Sequence, residues 1–106
     1  MKYLIVKIFD PDCDICAETD TFDTVVAKEM GIPLKKVCLA DILRRDTSLF
    51  MLLYEELRVN HAEDGEVSLP IYLLQDTQTD QFFASLGEFS TAEEFQQQLK
   101  KLLLPK

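Results

Sequence analysis

The sequence predicts an α/β fold in which one mixed, four-stranded sheet has helices on both faces. The first strand-like run, KYLIVKIF, is almost continuously apolar, as in a strand that is buried on both faces. Strand-like and helix-like segments then alternate, which implies parallel strands joined by helices. Only the polar residues TQTD separate the last two strand-like runs, which implies an antiparallel hairpin.

The elements are predicted in the order β-α-β-α-β-β-α. Ser90 and Glu93 form a candidate capping box at the start of the last helix, and Lys100 lies near its end, where the helix dipole favours cations. The segment NHAEDGE is polar and predicted to be a turn-prone connection. The predicted strands are residues 2–9, 35–41, 68–76 and 81–87, and the predicted helices are residues 16–30, about 46–58 and 90–104.

Composition restricts the classes of partner. The 106 residues suffice for one domain with one core, and the apolar fraction of 47% is ordinary for a globular protein. The formal net charge is −8. Nucleic acids and anionic membranes are bound chiefly through cationic side chains, so neither is an expected partner. A protein partner with a basic face is favoured instead.

The N-terminal segment MKYLIVKIFD is interpreted as a strand and not as a signal peptide. Its apolar run is short, Lys7 interrupts it, and acidic residues follow it. No apolar run approaches the length of a membrane span. We therefore expect a cytoplasmic protein, and in a reducing compartment a close cysteine pair is more often catalytic or metal-binding than structural.

The stretch DPDCDIC, residues 10–16, places Cys13 and Cys16 two residues apart among Asp10, Asp12 and Asp14. A helix start favours the reactive thiolate, because unpaired backbone N–H groups and the positive end of the dipole face it. The aspartates oppose it, each by about 1 kcal/mol at ~4 Å if solvated. Their expected effect is to bias the pair toward the role of reductant and to help select the partner.

The remaining candidate residues do not predict a metal site. Cys38 and His61 are the only other soft ligands, and neither has a zinc-like spacing from the pair. DPDCDIC resembles the start of a calcium loop but lacks its glycine and distal glutamate. Cys38 is interpreted as a core residue, with a second redox role as the alternative, and His61 as a solvated surface residue. Phe50 and Met51 are predicted to face the core or a partner.

Taken together, these motifs resemble the thioredoxin family. The Cys-x-x-Cys pair lies at a strand-to-helix turn, Pro70 opens the third predicted strand, and Gly87 ends the fourth. The ending GEFSTAEEFQQQLKKLL is similar to the last helix of thioredoxins and its approach. The resemblance covers essentially the whole chain, which is interpreted as a single thioredoxin-like domain, 1–106. Glutaredoxins fit less well, because no Gly-Gly with paired acids follows the third strand.

The chain also departs from the family, as a divergent member would. Asp14 and Ile15 stand between the cysteines, where typical thioredoxins have Gly-Pro. Asp12 replaces the tryptophan before the first cysteine, and Lys7 replaces the buried acid of the first strand. Leu69, before the proline, replaces a small β-branched or polar residue. The usual thioredoxin substrates are therefore not assumed.

The resemblance implies a thiol–disulfide oxidoreductase that reduces protein disulfides and carries no cofactor. Cys13 would attack the substrate disulfide, and Cys16 would resolve the mixed disulfide. A thioredoxin-reductase-like donor would resupply the electrons. The Leu69–Pro70 bond would be cis and would leave the backbone beside it free to pair with substrate. The expected substrate groove is bordered by Asp12, Asp14, Ile15, Leu69, Tyr72 and Gly87.

Lys7 allows two interpretations. Strand alternation places it on the same face as Ile5, beneath the cysteine pair. It would then stabilise the Cys16 thiolate or shuttle its proton, if burial lowers the lysine's own basicity. Alternatively its stem is packed while its ammonium reaches water.

A second function also fits the sequence. The chain would then be a non-catalytic thioredoxin-like module that binds a protein through its acidic surface, with the cysteines sensing redox state. The missing tryptophan, the residues Asp14 and Ile15 within the cysteine pair, and Lys7 are all compatible with this alternative.

Overall fold

A mixed four-stranded sheet with helices on both faces forms the protein, as the sequence predicts. The computed structural model describes residues 2–63 and 66–103. In the sheet, β1 pairs in parallel with β2 and antiparallel with β5, and β5 pairs antiparallel with β6, in the order β2-β1-β5-β6. The elements are β1 (Tyr3–Phe9), α1 (Asp14–Asp20), α2 (Asp23–Glu29), β2 (Leu34–Cys38), α3 (Leu39–Arg44), α4 (Ser48–Glu56), a π-helical turn (Leu57–His61), β3 (Ala62–Glu63), β4 (Glu66–Val67), β5 (Ile71–Asp76), β6 (Gln81–Ser85) and α5 (Ala92–Leu103).

Strand β1 is buried on both faces, which explains its continuous apolar run. Val6 and Ile8 point into a core cluster beneath α3 and α4. Ile5 points the other way, into a cluster that includes Phe95 and Leu99 of α5. Because successive side chains of a strand point to opposite faces, β1 contributes residues to both core clusters.

The predicted helix 16–30 is two helices. Helix α1 ends at Thr21, whose backbone N–H donates to the Glu18 carbonyl, and Phe22 has an extended φ of −135°. The Phe22 ring packs against Phe89 and Phe95, at centroid distances of 6.1 and 6.3 Å. Burial of this ring accompanies the break, which the helical periodicity of the segment did not reveal.

Two further elements differ from the prediction. The second strand ends at Cys38, and the predicted strand residues 39–41 begin helix α3 instead. The long helix starts at Ser48 with Thr47 as its N-cap, and a π-helical turn carries it past Arg58 to His61. The polar segment after it forms the short β3–β4 hairpin, of which residues 64 and 65 lie outside the described residues.

The later strands and the last helix are shorter than predicted. Strand β5 begins at Ile71, β6 ends at Ser85, and α5 begins at Ala92; residue 104 of the predicted helix lies outside the described residues. The predicted capping box is displaced by one residue. The Thr91 hydroxyl accepts from the Glu94 N–H, and the Glu94 carboxylate accepts from the Ser90 N–H. No helix of the described residues is both long and apolar enough to cross a membrane.

Candidate redox site

The cysteine pair lies where β1 passes into α1. Cys13 is the N-cap of α1, and its sulfur accepts a hydrogen bond from the Cys16 N–H at 3.1 Å. The two Sγ atoms lie within disulfide-bonding distance, and the Cα atoms are 5.2 Å apart. Cys13 is partly exposed, whereas Cys16 is only 2% exposed. The structure therefore has an outer and an inner sulfur in the predicted order.

A tight turn carries the aspartates around Cys13. Asp10 accepts from the Asp12 N–H through its side chain and from the Cys13 N–H through its carbonyl. Asp12 and Asp14 are exposed, and so is the apolar Ile15. Water screens such carboxylates, so their effect on the sulfur is modest compared with that of a buried charge.

Pro70 and Gly87 belong to the end of the sheet from which the cysteine loop leaves. Ile71, directly after Pro70, pairs with Ile8 near the end of β1, and the Leu69–Pro70 bond is cis. Gly87 follows β6 at the same end and donates its N–H to the Gln98 side chain at 2.8 Å. Gly87 is exposed, and Leu69 is half-buried against the core beneath α3 and α4.

Tyr72 does not border a surface groove, contrary to the expectation. It is 2% exposed, and its hydroxyl contacts Asp23 Oδ2 at 2.7 Å and Thr19 Oγ1 at 2.8 Å. Residues of β5 alternate between faces, and Tyr72 faces α1 and α2. The Tyr72 hydroxyl is therefore part of a buried polar cluster. Its neighbours Ile71 and Leu73 point to the other face of the sheet, into the core beneath α3 and α4.

Lys7 is the centre of that cluster. Its side chain is 0% exposed, so the interpretation in which the ammonium reaches water is wrong. Nζ lies 2.9 Å from the Cys16 carbonyl oxygen, 3.0 Å from Thr19 Oγ1, 2.6 Å from Asp20 Oδ1 and 2.7 Å from Asp23 Oδ2. The lysine thus ties the first turn of α1, including the inner cysteine, to the sheet below it.

The buried partners of Lys7 satisfy one another. Asp23 is fully buried and accepts from both Lys7 and the Tyr72 hydroxyl. Burial raises the pKa of Tyr72, so its hydroxyl stays neutral and remains a donor. Throughout the part of the chain that the structure describes, no buried side-chain nitrogen or oxygen lacks a hydrogen-bond partner. A buried ion pair is tolerated under this condition.

Asp20 and Lys36 connect the cluster to solvent. Their charged atoms are 2.8 Å apart, and the side chains are 47% and 37% exposed. Burial opposes ionisation of Asp20, but hydrogen bonds from Lys36 and Lys7 outweigh it and lower its pKa. The hydrogen bond to Asp20 raises the pKa of Lys36. Together with Lys7 and Asp23, two cations face two anions, so the cluster is electrically balanced.

Sequence reasoning found Lys7 but not its partners. The available signal was the lysine itself, because a cation in an otherwise apolar central strand requires a buried counter-charge. Asp20 and Asp23 are three residues apart, and residues with this spacing lie on the same face of a helix. Asp20 ends α1 and Asp23 begins α2, and both carboxylates contact Lys7 Nζ.

The other soft side chains remain separate. Among residues 2–63 and 66–103, no three His, Cys, Asp or Glu side chains form a group that could hold a metal ion. Cys38 is a free, half-buried thiol at the end of β2. The His61 side chain is 18% exposed, less than expected of a solvated residue, and its Nε2 lies 3.7 Å from Glu56 Oε1.

Comparison with known proteins concerns the fold alone. No protein-family model and no curated protein matches the chain. A solved structure described as that of a malarial protein is similar over 98% of this chain and 100% of that chain, with a TM-score of 0.62 and 20% sequence identity. At this identity the similarity supports the α/β architecture, and it transfers no activity.

Proposed function

We propose that this protein is a thioredoxin-like thiol–disulfide oxidoreductase that reduces disulfides of protein substrates in a reducing compartment such as the cytoplasm. The observation that carries the proposal is the Cys13–Cys16 pair, with one sulfur at the surface, the other buried, and both within bonding distance. Pro70 and Gly87 support it, because strand register assigns both to the same end of the sheet as the pair.

The proposed reaction transfers two electrons by two exchanges. The Cys13 thiolate attacks one sulfur of the substrate disulfide, and the second substrate sulfur leaves as a thiolate and takes up a proton. The Cys16 thiolate then attacks the Cys13 sulfur and releases the first substrate sulfur as a thiolate. The substrate is reduced to a dithiol while the protein is oxidised to the Cys13–Cys16 disulfide. A dithiol donor, such as a thioredoxin-reductase-like protein, would restore the reduced pair.

Lys7 acts in this proposal as a positioning residue. Its bond to the Cys16 carbonyl holds the inner cysteine in the first turn of α1. Its ammonium also compensates the carboxylates of Asp20 and Asp23, which would otherwise disfavour a thiolate at the inner cysteine. Replacement by methionine should therefore shift the pH profile of turnover, a readout that loss of packing alone does not move.

The first test is disulfide reduction with dithiothreitol as the electron donor. We expect the wild type to reduce insulin disulfides and Cys13→Ser to abolish the reaction. Cys38→Ser is the matched control, because it removes a cysteine that lies outside the pair. A wild type that shows no turnover above the dithiothreitol background would contradict the proposal.

A second test identifies the substrate. Cys16→Ala cannot resolve a mixed disulfide, so a protein attacked by Cys13 stays attached and can be identified by mass spectrometry. The double variant Cys13→Ser/Cys16→Ala is the control, and only partners absent from it count.

A binding or redox-sensing module without turnover is the second candidate function. It is favoured by the exposed Ile15, which follows the solvated Asp12 and Asp14 in the chain, because an apolar side chain beside charged ones is suited to protein contact. Partner binding that persists in Cys13→Ser, together with no turnover in the wild type, would support this module over the enzyme.

A further inference from the structure

The two edges of the sheet differ in how they are protected. The edge strand β2 carries the exposed Lys35 and Lys36, and charged side chains discourage pairing with another chain. The opposite edge strand β6 has the sequence QFFAS, which contains neither a charge nor a proline. Strand β6 is therefore the edge of the sheet that is more open to pairing with an additional extended segment.

The free part of this edge is short and has defined ends. The Leu86 N–H donates inward to the Tyr72 carbonyl, so alternation directs the peptide groups of Ser85 outward. At Gly87 the outward groups are already bonded to the Gln98 side chain. An irregularity in the pairing leaves Phe83 without a residue opposite it on β5. Such an edge fits a short segment and not a long strand.

Exposed aromatic and apolar side chains flank the same edge. Phe83 is exposed and contacts the Tyr3 ring at a centroid distance of 5.4 Å. On the other face of β6, Phe82 lines a cleft of about 330 Å³ together with Leu52 of α4 and Val59 of the π-helical turn. Leu52 and Val59 are both exposed, Val59 by 63%. We call this space the β6 cleft.

Acidic residues surround the β6 cleft. Glu55, Glu56 and Asp80 line it, and no lysine or arginine does. Arg58 pairs with Glu55 at 2.9 Å, so part of this charge is compensated nearby. Asp80 has no such partner among the described ion pairs. The net field of the cleft is negative.

From these features we infer that the β6 cleft docks an extended segment of a partner protein that presents both lysine or arginine and apolar side chains on the face toward the cleft. The apolar residues would contact Phe82 and Val59 on one side of the edge, and the cations would face the acidic rim. A second copy of this chain fits poorly, because each copy carries a net charge of −8.

The β6 cleft is separate from the cysteine pair. It is lined by Asp80 and Gln81 at the start of β6, whereas the pair lies at the end of the sheet where β6 finishes. The inference therefore does not rest on the proposed redox chemistry, and the two can fail independently.

The test uses the full chain and a fluorescein-labelled, end-blocked peptide that repeats two lysines followed by two valines, so that each face of the extended peptide carries both residue types. Fluorescence anisotropy measures the affinity, and amide chemical shifts of the ¹⁵N-labelled protein locate the contact. Val59→Lys should weaken binding by about fivefold or more, since it puts a cation into an apolar contact. Val25→Lys is the matched control, because Val25 is 57% exposed on α2 and should change affinity by less than about twofold.

Two further peptides separate the contribution of charge from that of backbone hydrogen bonding. A peptide with glutamate in place of lysine should bind much more weakly, and added salt should weaken the lysine peptide. A peptide N-methylated along one edge loses its backbone donors there and should bind more weakly if it pairs with β6.

Four results would overturn the inference. The first is no binding to the wild type, and the second is equal loss in Val59→Lys and Val25→Lys. The third is a set of shifts confined to residues 10–16, which would place the peptide on the acidic rim of the cysteine pair. The fourth is a dimer by light scattering that Val59→Lys dissociates, which would make a second copy the occupant.

Discussion

Lys7 is the residue on which the architecture of the site depends most. It is fully buried and bridges the Cys16 carbonyl, Asp23 and Asp20. A buried ion pair contributes little net stability relative to apolar residues, yet removal of one partner leaves an uncompensated buried charge. The cluster is therefore a source of strong coupling between the inner cysteine and the sheet.

Lys7→Met should lower the free energy of unfolding by about 3–5 kcal/mol, because it removes the closest cation of the buried Asp23 and leaves only Lys36, 3.8 Å away. Urea denaturation measures the change. Adding Asp23→Leu should recover part of the loss, since this buried charge is then removed as well. Lys28→Met, at an exposed position of α2, is the control and should have an effect within about 0.5 kcal/mol. A loss in Lys7→Met no greater than that of the control would disprove the coupling.

Ionisation of Asp20 should make the free energy of unfolding depend on pH in the acid range. Its pKa is lowered in the folded state, because the hydrogen bonds from Lys36 and Lys7 outweigh the burial that opposes ionisation. A lowered folded pKa means that the stabilisation is present above the unfolded value, near ~3.9, and is lost as the pH falls toward the folded value. Asp20→Asn should therefore be less stable at neutral pH and show a shallower loss of stability below about pH 4.

Thermal unfolding at several pH values measures this linkage. Asp12→Asn is the matched control, because Asp12 is exposed and forms no ion pair with the described residues. Parallel stability curves for the wild type and Asp20→Asn across the acid range would contradict the assignment.

At the scale of elements, two junctions carry residues of the proposed sites. At the first, Asp20 ends α1 and Asp23 begins α2, and both carboxylates contact the Lys7 ammonium. At the second, the π-helical turn after α4 carries the exposed Val59 to the β6 cleft. Such turns often occur at functional sites.

The N-cap of α4 supplies a prediction at this scale. Thr47 accepts the Phe50 N–H through its hydroxyl at 3.1 Å, and it is exposed, so its replacement leaves no cavity. Thr47→Ala should lower the free energy of unfolding by about 1 kcal/mol, because one helix-end donor loses its partner. Thr47→Ser keeps the acceptor and should lose much less. Equal effects of the two substitutions in urea denaturation would show that the cap does not stabilise α4.

At the scale of the whole molecule, the excess of acidic residues is the property that bears on the proposed choice of partner. The net charge of −8 and the solvated Asp12 and Asp14 give the proposed redox face a negative field. Such a field concentrates cationic partners and raises their association rates, and salt screens it. The protein would therefore select among partners mainly through their association rates.

The corresponding prediction concerns disulfide peptides of opposite charge. Reduction of a lysine-flanked disulfide should be faster than that of a glutamate-flanked one at low salt, and the difference should shrink as salt is added. The double variant Asp12→Asn/Asp14→Asn should reduce the difference as well. Stopped-flow measurement of thiol release gives both rates, and a ratio that does not respond to salt would exclude electrostatic selection.

The order of the main strands and helices, and the mixed character of the sheet, could be predicted from the sequence. The apolar run of β1 and the spacing of Cys13 and Cys16 are local patterns, and local patterns can be read without knowing what lies across the fold. The outer and inner order of the two sulfurs also followed from their positions at a helix start.

The surroundings of those residues, in contrast, depend on how the helices pack on the sheet. Alternation assigned Lys7 to a face, but its burial and its partners depend on the approach of α1 and α2 over the sheet. Tyr72 was expected at a surface groove because a sequence does not show which helix covers each face of a strand. Interactions between residues far apart in the chain arise from packing, and packing is a property of the folded whole.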